Sequence, residues 1–437
     1  MLILSQLLMA LITYPCLLRS AATRNLSDEE RLLINLFKDY NPSARPVIDS
    51  ANTVTVDIQF SLMHIKDLDV RSQVFTTTGL LIVEWIDERL VWNSTKFNNA
   101  SDMIVEADRL WRPEFAVING AEKLYEDYKA FRASISSIGQ VHWEPGGVFK
   151  TMCEIDITYY PFDEQVCALV FGAWSYHTSK MNLTTSTSVV NLDSYKTNGE
   201  WEIFTTSAVR NEFNYECCPN EKFSNVEFKV YLRRRHTFYV LNVILPSIMT
   251  SVLLLSVFFC TPNQKVQIGV VVLLSFRIFL LNVAGNIPKT SDHIPLLGIY
   301  LTVTMAITTL SMVLTVFVLN LHYISDRPVP SWAKTLIIDY MGRCMCMSSY
   351  KKDKRRSTVN GITLEKIGER IARHTMEEEG FIKDSEEDFS ADWKRMAEVF
   401  DRLFFWFFLT AILITTLILF HPLTKACMKL NCATTKT

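Results

Sequence analysis

No charge of either sign dominates this chain. Its 44 Lys and Arg residues stand against 46 Asp and Glu, a formal net charge of −2, so the basic footprint that nucleic-acid binding requires is missing. No catalytic constellation stands out: the eight histidines are scattered without metal-ligand spacing, and neither an activated nucleophile nor a phosphate loop is evident. The residues therefore argue against an enzyme and call for no cofactor and no metal. Charge is also missing from three long apolar runs, residues 238–260, 296–321 and 403–420. A fourth run, 266–284, carries Arg277 near its middle.

About 20 apolar residues cross a hydrocarbon core, so each run is long enough to span a membrane. With 49% hydrophobic residues, the chain is too apolar for a solvated multidomain protein. Residues 1–22 have the apolar stretch and the small residues Ser20, Ala21 and Ala22 expected of a signal peptide, although the basic n-region is absent; an N-terminal anchor is the alternative. Sequons at Asn25, Asn93, Asn99 and Asn182 all precede the first run, as glycosylation in the secretory lumen requires. Lys351, Lys352, Lys354, Arg355 and Arg356 lie between the third and fourth runs, which the positive-inside tendency places in the cytoplasm. Both termini then lie outside, and the protein is a multi-pass membrane protein.

Residues 23–236 read as an extracellular β-sandwich. One helix over 27–40 opens it, with Ser27 and Glu30 as a capping box and Leu32, Leu33, Leu36 and Phe37 on one face. Runs with period-two alternation follow at 53–62, 75–86 and 226–232. Residues 237–325 hold spans one to three, 326–402 a cytoplasmic region, 403–421 the fourth span and 422–437 an extracellular tail. Within the cytoplasmic region, 331–341 reads as an amphipathic helix with Trp332, Leu336, Ile337 and Tyr340 toward the inner membrane surface. A longer helix runs from about residue 364 toward the fourth span. Residues 361–402 hold twelve Asp or Glu against seven Lys or Arg, which favours cations in a cytoplasmic vestibule.

Cys153 and Cys167 enclose thirteen residues in the secreted part, where oxidation is expected, and closing such a loop stabilises by roughly 3 kcal/mol in the chain-entropy model. Tyr160, Pro161, Phe162 and Asp163 form its tip. Cys217 and Cys218 are adjacent; a bond between them closes a strained ring that stiffens a hairpin tip, the alternative being two separate disulfides. Cys344 and Cys346 read as an ordinary or lipid-modified pair, and Cys427 and Cys432 pair with each other or link to another chain.

NPSARPV at 41–47, EWIDERLVWN at 84–93, LWRPE at 110–114, the YPFD loop, GAWSY at 172–176, YECC at 215–218, RRR at 233–235 and VVLLS in the second run together resemble the pentameric Cys-loop receptors, and within them alpha-type nicotinic acetylcholine receptor subunits. The likeness covers most of residues 25–421. It implies a pentamer of same or related subunits in the plasma membrane, at a synapse for example, with a small cationic or amphipathic agonist between extracellular domains and the second span lining the pore. On the principal face it implies Trp174, Tyr215, Cys217, Cys218 and Phe223, with Ile118 in place of an aromatic residue; an aromatic cage is what a quaternary ammonium needs. On the complementary face it implies Leu80, again replacing an aromatic, with His142 and Glu144. Without the YECC pattern, Trp174 and Trp143 would serve equally well as sandwich-core aromatics.

Gln267, Val271, Leu274, Ile278 and Gly285 recur at helical spacing on one stripe of the second run. Five copies would stack into rings, with Val271, Leu274 and Ile278 as a hydrophobic gate; the bland alternative is a packed apolar face. The resemblance aligns Gln264 and Gly285 with positions usually held by glutamate rings. Arg277 lies beside the stripe and is assigned to a subunit interface. Pro161, Phe162, Arg234 and residues 286–295 are implied in coupling. Two functions result: an agonist-gated channel subunit conducting cations, or a non-conducting binding or assembly subunit of a mixed pentamer.

Overall fold

The computed structural model describes residues 26–122, 124, 131–287, 293–325, 327–342 and 390–421. The leader expected at 1–22, the sequon at Asn25, both cytoplasmic and C-terminal cysteine pairs, the basic cluster from Lys351 and the tail at 422–437 lie outside the described residues. So do most of the helix expected from residue 364 and the middle of the 286–295 connection.

The chain divides into two compact units, one made of residues up to 155 with 165–232, the other of 156–164 with 233 onward. The first opens on a helix, Asp28–Phe37, whose N-cap is Ser27. The Glu30 N–H donates to Ser27 Oγ at 3.1 Å, satisfying one of the orphan donors of the first turn. The expected helix ran on to Tyr40, but it stops at Phe37 because Tyr40 is drawn elsewhere. Its hydroxyl donates to Asp87 Oδ2 at 2.6 Å and accepts from the Trp111 N–H at 2.8 Å.

Eleven strands follow among the described residues. β1 (Val54–Asp69), β2 (Val74–Ile86), β3 (Asp102–Glu106), β5 (Arg132–Ser136), β6 (Gln140–Trp143), β7 (Gly146–Met152) and β9 (Met181–Thr184) form one sheet in the order β3-β5-β6-β2-β1-β9, with β7 also on β2. β4 (Phe115–Val117), β8 (Glu164–Ala173), β10 (Trp201–Asn214) and β11 (Lys222–Arg234) form the second in the order β10-β11-β8-β4. β2 alternates buried and half-exposed residues along almost its whole length, the period-two signature of a strand with one face in a core. That core is aromatic. Phe60 of β1 and Phe149 of β7 meet Phe171 of β8 and Phe228 of β11, with ring centroids 5.5 to 6.4 Å apart, the edge-to-face and tilted arrangements aromatic quadrupoles favour. Gly79 makes the close approach possible, since a Cβ there would lie 2.5 Å from Phe60 Cζ.

Among the described residues of the second unit, four helices are long and apolar enough to cross a membrane: Thr237–Phe259, Pro262–Gly285, Leu296–His322 and Ser390–His421. The described part of the fourth, from Ser390 on, includes polar turns ahead of the apolar run at 403–420, in line with the longer helix expected to lead into it. Gly269 of the second span lets Met312 of the third come close; any Cβ at that position would collide with the sulfur. Ser331–Ala333 is helical and continues as a π-helix, Lys334–Met341. Trp332, Leu336 and Tyr340 are exposed there, as expected, but Ile337 is not on their face. It packs with Ala333 and Ile338 around Met396, Trp393 and Phe400 of the fourth helix, because π-helical spacing turns a residue out of the α-helical stripe.

Candidate functional site

Three aromatic residues gather at one end of the four-stranded sheet. Tyr215 sits in the β10–β11 connection and Phe223 at the start of β11; their rings pack edge to face with centroids 5.3 Å apart. Trp174 follows directly on β8, and the Thr178 N–H donates to the Lys222 carbonyl at 2.7 Å, which ties the segment after Trp174 to the start of β11. Trp174 is 55% exposed, whereas Trp143 is 3% exposed. Of the two tryptophans, only Trp143 is a core residue; Trp174 is open at the surface. Ile118 follows β4 and lies against the backbone of β8, close enough that a Cβ at Gly172 would sit 2.8 Å from its Cγ1. Its side chain is aliphatic and carries no aromatic quadrupole.

Cys153 and Cys167 are disulfide-bonded, as the loop length suggested. The neighbouring pair departs from expectation: Cys217 and Cys218 stand as free thiols. The Cys218 N–H donates to the Tyr215 carbonyl at 3.0 Å and the Glu221 N–H to the Cys218 carbonyl at 3.0 Å. These two successive turns shape the hairpin tip. Hydrogen bonding to Cys217 raises the Cys218 thiol above its ordinary range.

Leu80 and His142 belong to the other sheet, and Glu144 directly follows β6. Leu80 is paired with Gly146 of β7, and β2 alternation puts it on the outer face with Ile82 and Glu84. His142 pairs with Glu84 across β2–β6. Its Nδ1 lies 2.8 Å from Glu84 Oε1 and its Nε2 lies 3.0 Å from Glu144 Oε1. Burial alone would lower the His142 pKa, but the hydrogen bonds and charges of the two glutamates outweigh it and hold the imidazole above the ordinary histidine value. Glu84 was missed as a site residue. The alternation of β2 carried the signal, but the register that sets Glu84 opposite His142 is not visible in sequence.

Among the sequons, Asn93 and Asn99 are exposed. Asn182 is half-buried in β9, and its Oδ1 accepts from Arg210 at 2.6 Å, making it the least accessible of the three described.

Within the second unit, residues 156–164 cluster with the spans. Asp163 and Arg234, both nearly inaccessible, form a two-pronged pair: Arg234 Nε donates to Oδ1 at 2.8 Å and Nη2 to Oδ2 at 3.1 Å. The guanidinium also faces Tyr160 and Tyr239, 5.1 and 5.6 Å from their ring centroids. Burial pushes the Tyr160 phenol well up, so it stays protonated. Pro161 is buried, and Phe162 packs on His236 with centroids 4.7 Å apart. The Leu296 N–H donates to the Thr158 carbonyl at 3.1 Å, and His293 Nδ1 lies 3.4 Å from Asp156 Oδ1. The start of the third span is thus tied to the disulfide-loop tip.

Along the second span, Gln264, Gln267 and Gly285 are exposed, as are Val271, Leu274 and Ile278 at 55%, 59% and 50%. Gly269, Val272, Phe276 and Val283 line the buried side. Arg277 is exposed on the flank of the open stripe. Lys265, next to Gln264, points the other way: it is 4% exposed and paired with Asp401 of the fourth helix. That pair borders a cavity of about 520 Å³, walled by Phe258, Phe259, Phe405 and Trp406.

Comparison with known proteins agrees with this arrangement. Residues 29–236 match the family model of the neurotransmitter-gated ion-channel ligand binding domain, and residues 243–381 match that of the neurotransmitter-gated ion-channel transmembrane region. The neuronal acetylcholine receptor subunit alpha-3 of Homo sapiens is 37% identical over 324 residues, 73% of this chain and 64% of that protein. The acetylcholine receptor subunit alpha-type acr-16 of Caenorhabditis elegans is 36% identical over 327 residues, 74% of this chain and 66% of that protein. The chain thus spans just under two thirds of the relatives it matches. With a two-sheet extracellular domain, a disulfide loop clustered with four spans and both family models matched in order, this chain belongs to the neurotransmitter-gated ion-channel family.

Proposed function

We propose that this chain is one subunit of a pentameric ligand-gated cation channel at the plasma membrane, a postsynaptic one for example. The observation that carries the proposal is the division of the second span. Its Val271–Leu274–Ile278 stripe stays uncovered while the opposite side packs against the third span. Five such stripes around an axis, from copies of this chain or related subunits, would make a hydrophobic constriction that opens and closes by wetting. The agonist would lie between Trp174, Tyr215 and Phe223 of one subunit and Leu80, His142 and Glu144 of the next.

Acetylcholine, which the relatives' names carry, would find fewer aromatic faces here, since Ile118 and Leu80 are aliphatic. Each missing aromatic face weakens the hold on a quaternary ammonium by about 0.5 to 2 kcal/mol. Weak acetylcholine recognition, or preference for a bulkier amphipathic cation, follows.

A second reading is favoured by the uncharged Gln264 and Gly285 and by Arg277 beside the stripe: a non-conducting subunit that contributes a binding face to a mixed pentamer. Voltage-clamp recording from cells expressing only this chain separates the two, using acetylcholine, choline and larger amphipathic amines with surface expression measured in parallel. An agonist-evoked current supports an autonomous channel, and its reversal potential under ion substitution tests cation selectivity. Silence despite surface pentamers supports the accessory role.

A further inference from the structure

We infer that His142 makes the complementary face proton-sensitive, carrying an imidazolium clamped between Glu84 and Glu144 whose deprotonation strengthens the face's attraction for a cationic agonist. The inference rests on the reading of that face as half of the agonist site.

The geometry leaves little choice of protonation state. A carboxylate oxygen only accepts hydrogen bonds, and a neutral imidazole donates from one nitrogen while the other presents a lone pair. Here both ring nitrogens meet carboxylate oxygens, at 2.8 and 3.0 Å. Only the doubly protonated ring donates to both; in the neutral ring one of the two meetings becomes lone pair against lone pair. The direction of the pKa shift agrees with this.

The charged surroundings do not supply the missing cation from elsewhere. On β2, Glu84 is the residue facing His142, and on β1 its register partner is Asp57, already accepting from Gln59 and Ser186. On β5, Ser134 is the direct partner of His142, and Arg132, one step along that outer face, reaches toward Glu106 of β3 at 3.9 Å. Leu80, Ile82 and Glu84 share the outer face of β2. Losing the proton takes the Glu–His–Glu cluster from one net negative charge to two. A cationic ligand roughly 10 Å away then binds about two- to five-fold more tightly as pH rises through the titration.

The test has two arms. In the first, exchange of the histidine C2 hydrogen for deuterium is followed by mass spectrometry on the full-length solubilised protein from about pH 5 to about pH 9. The midpoint for His142 is expected above the ordinary histidine value of about 6.5, falling toward it in the Glu84→Gln, Glu144→Gln double variant. A midpoint at or below the ordinary value, or one unmoved by the double variant, overturns the inference. In the second arm, choline, whose charge does not titrate, is applied over the same range. The expected gain in potency at high pH disappears in His142→Gln, and a gain of equal size in that variant overturns the link to the agonist. If choline evokes no current, the functional reading is what fails, and the exchange arm still decides the state of His142.

Discussion

Replacing Asp401 by Asn would strand the Lys265 ammonium in the interior. Its side chain is 4% exposed and Asp401 is its counter-charge in the structure. Removing one member of a buried ion pair costs about 3–5 kcal/mol. Asp401 keeps 16% of its side-chain surface and Asn retains an oxygen that accepts from Lys265, so a loss of about 2–4 kcal/mol is the better figure. The assay is thermal denaturation of the solubilised full-length protein, with surface abundance in cells as the companion readout. A fall of about 5 °C or more in Tm is expected for a loss of that size. The control is the double variant Lys265→Met, Asp401→Leu, which removes both charges while keeping side-chain volume, and is expected to lie at wild-type stability or above it. Two results would refute the reasoning. An unchanged Asp401→Asn means that Lys265 finds water or another acceptor; a double variant as damaged as the single one means that packing, not an orphaned charge, was lost.

Arg234→Gln removes the partner of buried Asp163 and the cation facing Tyr160 and Tyr239; a loss of about 3–5 kcal/mol and failure to reach the cell surface are expected, read by surface biotinylation. Opening the Cys153–Cys167 bond with Cys153→Ser and Cys167→Ser together should cost roughly 3 kcal/mol, seen as a lowered Tm of the extracellular transition. Gly269→Val drives side-chain atoms into Met312 and should destabilise the protein by about 1–3 kcal/mol; Met312→Ala added to it should restore part of the loss, and no recovery would place the damage elsewhere. Because the His142 pKa is raised in the folded chain, its ion pairs add stability that is complete below the unfolded histidine value and is lost as pH climbs through the raised folded value. Denaturation midpoints compared between wild type and His142→Gln across that window should converge at the alkaline end.

What sequence could not reach was, in nearly every instance, a matter of register or of pairing between distant segments. Four apolar runs located four spans to within a few residues at most of their ends, since hydropathy over a bilayer thickness is a local property. The polar turns from Ser390 that lead into the fourth span belong to the longer helix that the sequence already placed ahead of the last apolar run. The stripe on the second span was legible because a 3.6-residue period needs no partner to be seen. Lys265 was not recognised as buried, for its counter-charge lies 136 residues away, and Asp163 and Arg234 are 71 residues apart. Trp174 and Trp143 could not be told apart by residue type; position in the fold separated them, one at a strand end and open, one inside the sandwich.

The two sides of the second span differ in what they suit. Its packed side consists of Gly269, Val272, Phe276 and Val283, besides the neutralised Lys265. Its uncovered side holds Gln264, Gln267, Asn282 and Arg277 alongside Leu281 and the three apolar residues of the stripe. Had the uncovered side been made for lipid tails, the polar residues should sit on the packed side, where neighbouring helices can satisfy them. They sit on the other. Arg277 lies about 60° around the helix from Leu274, on the shoulder of the stripe rather than its crest, and an arginine turned into hydrocarbon costs several kcal/mol. An open side that combines three amides and a guanidinium with a central apolar belt suits water and a neighbouring subunit. Within that arrangement Gln264 and Gly285 bring no fixed charge to either end of the stripe. With the second span lining the pore as proposed, a preference for cations arises outside it, so the reversal potential bears on the rest of the chain more than on that helix.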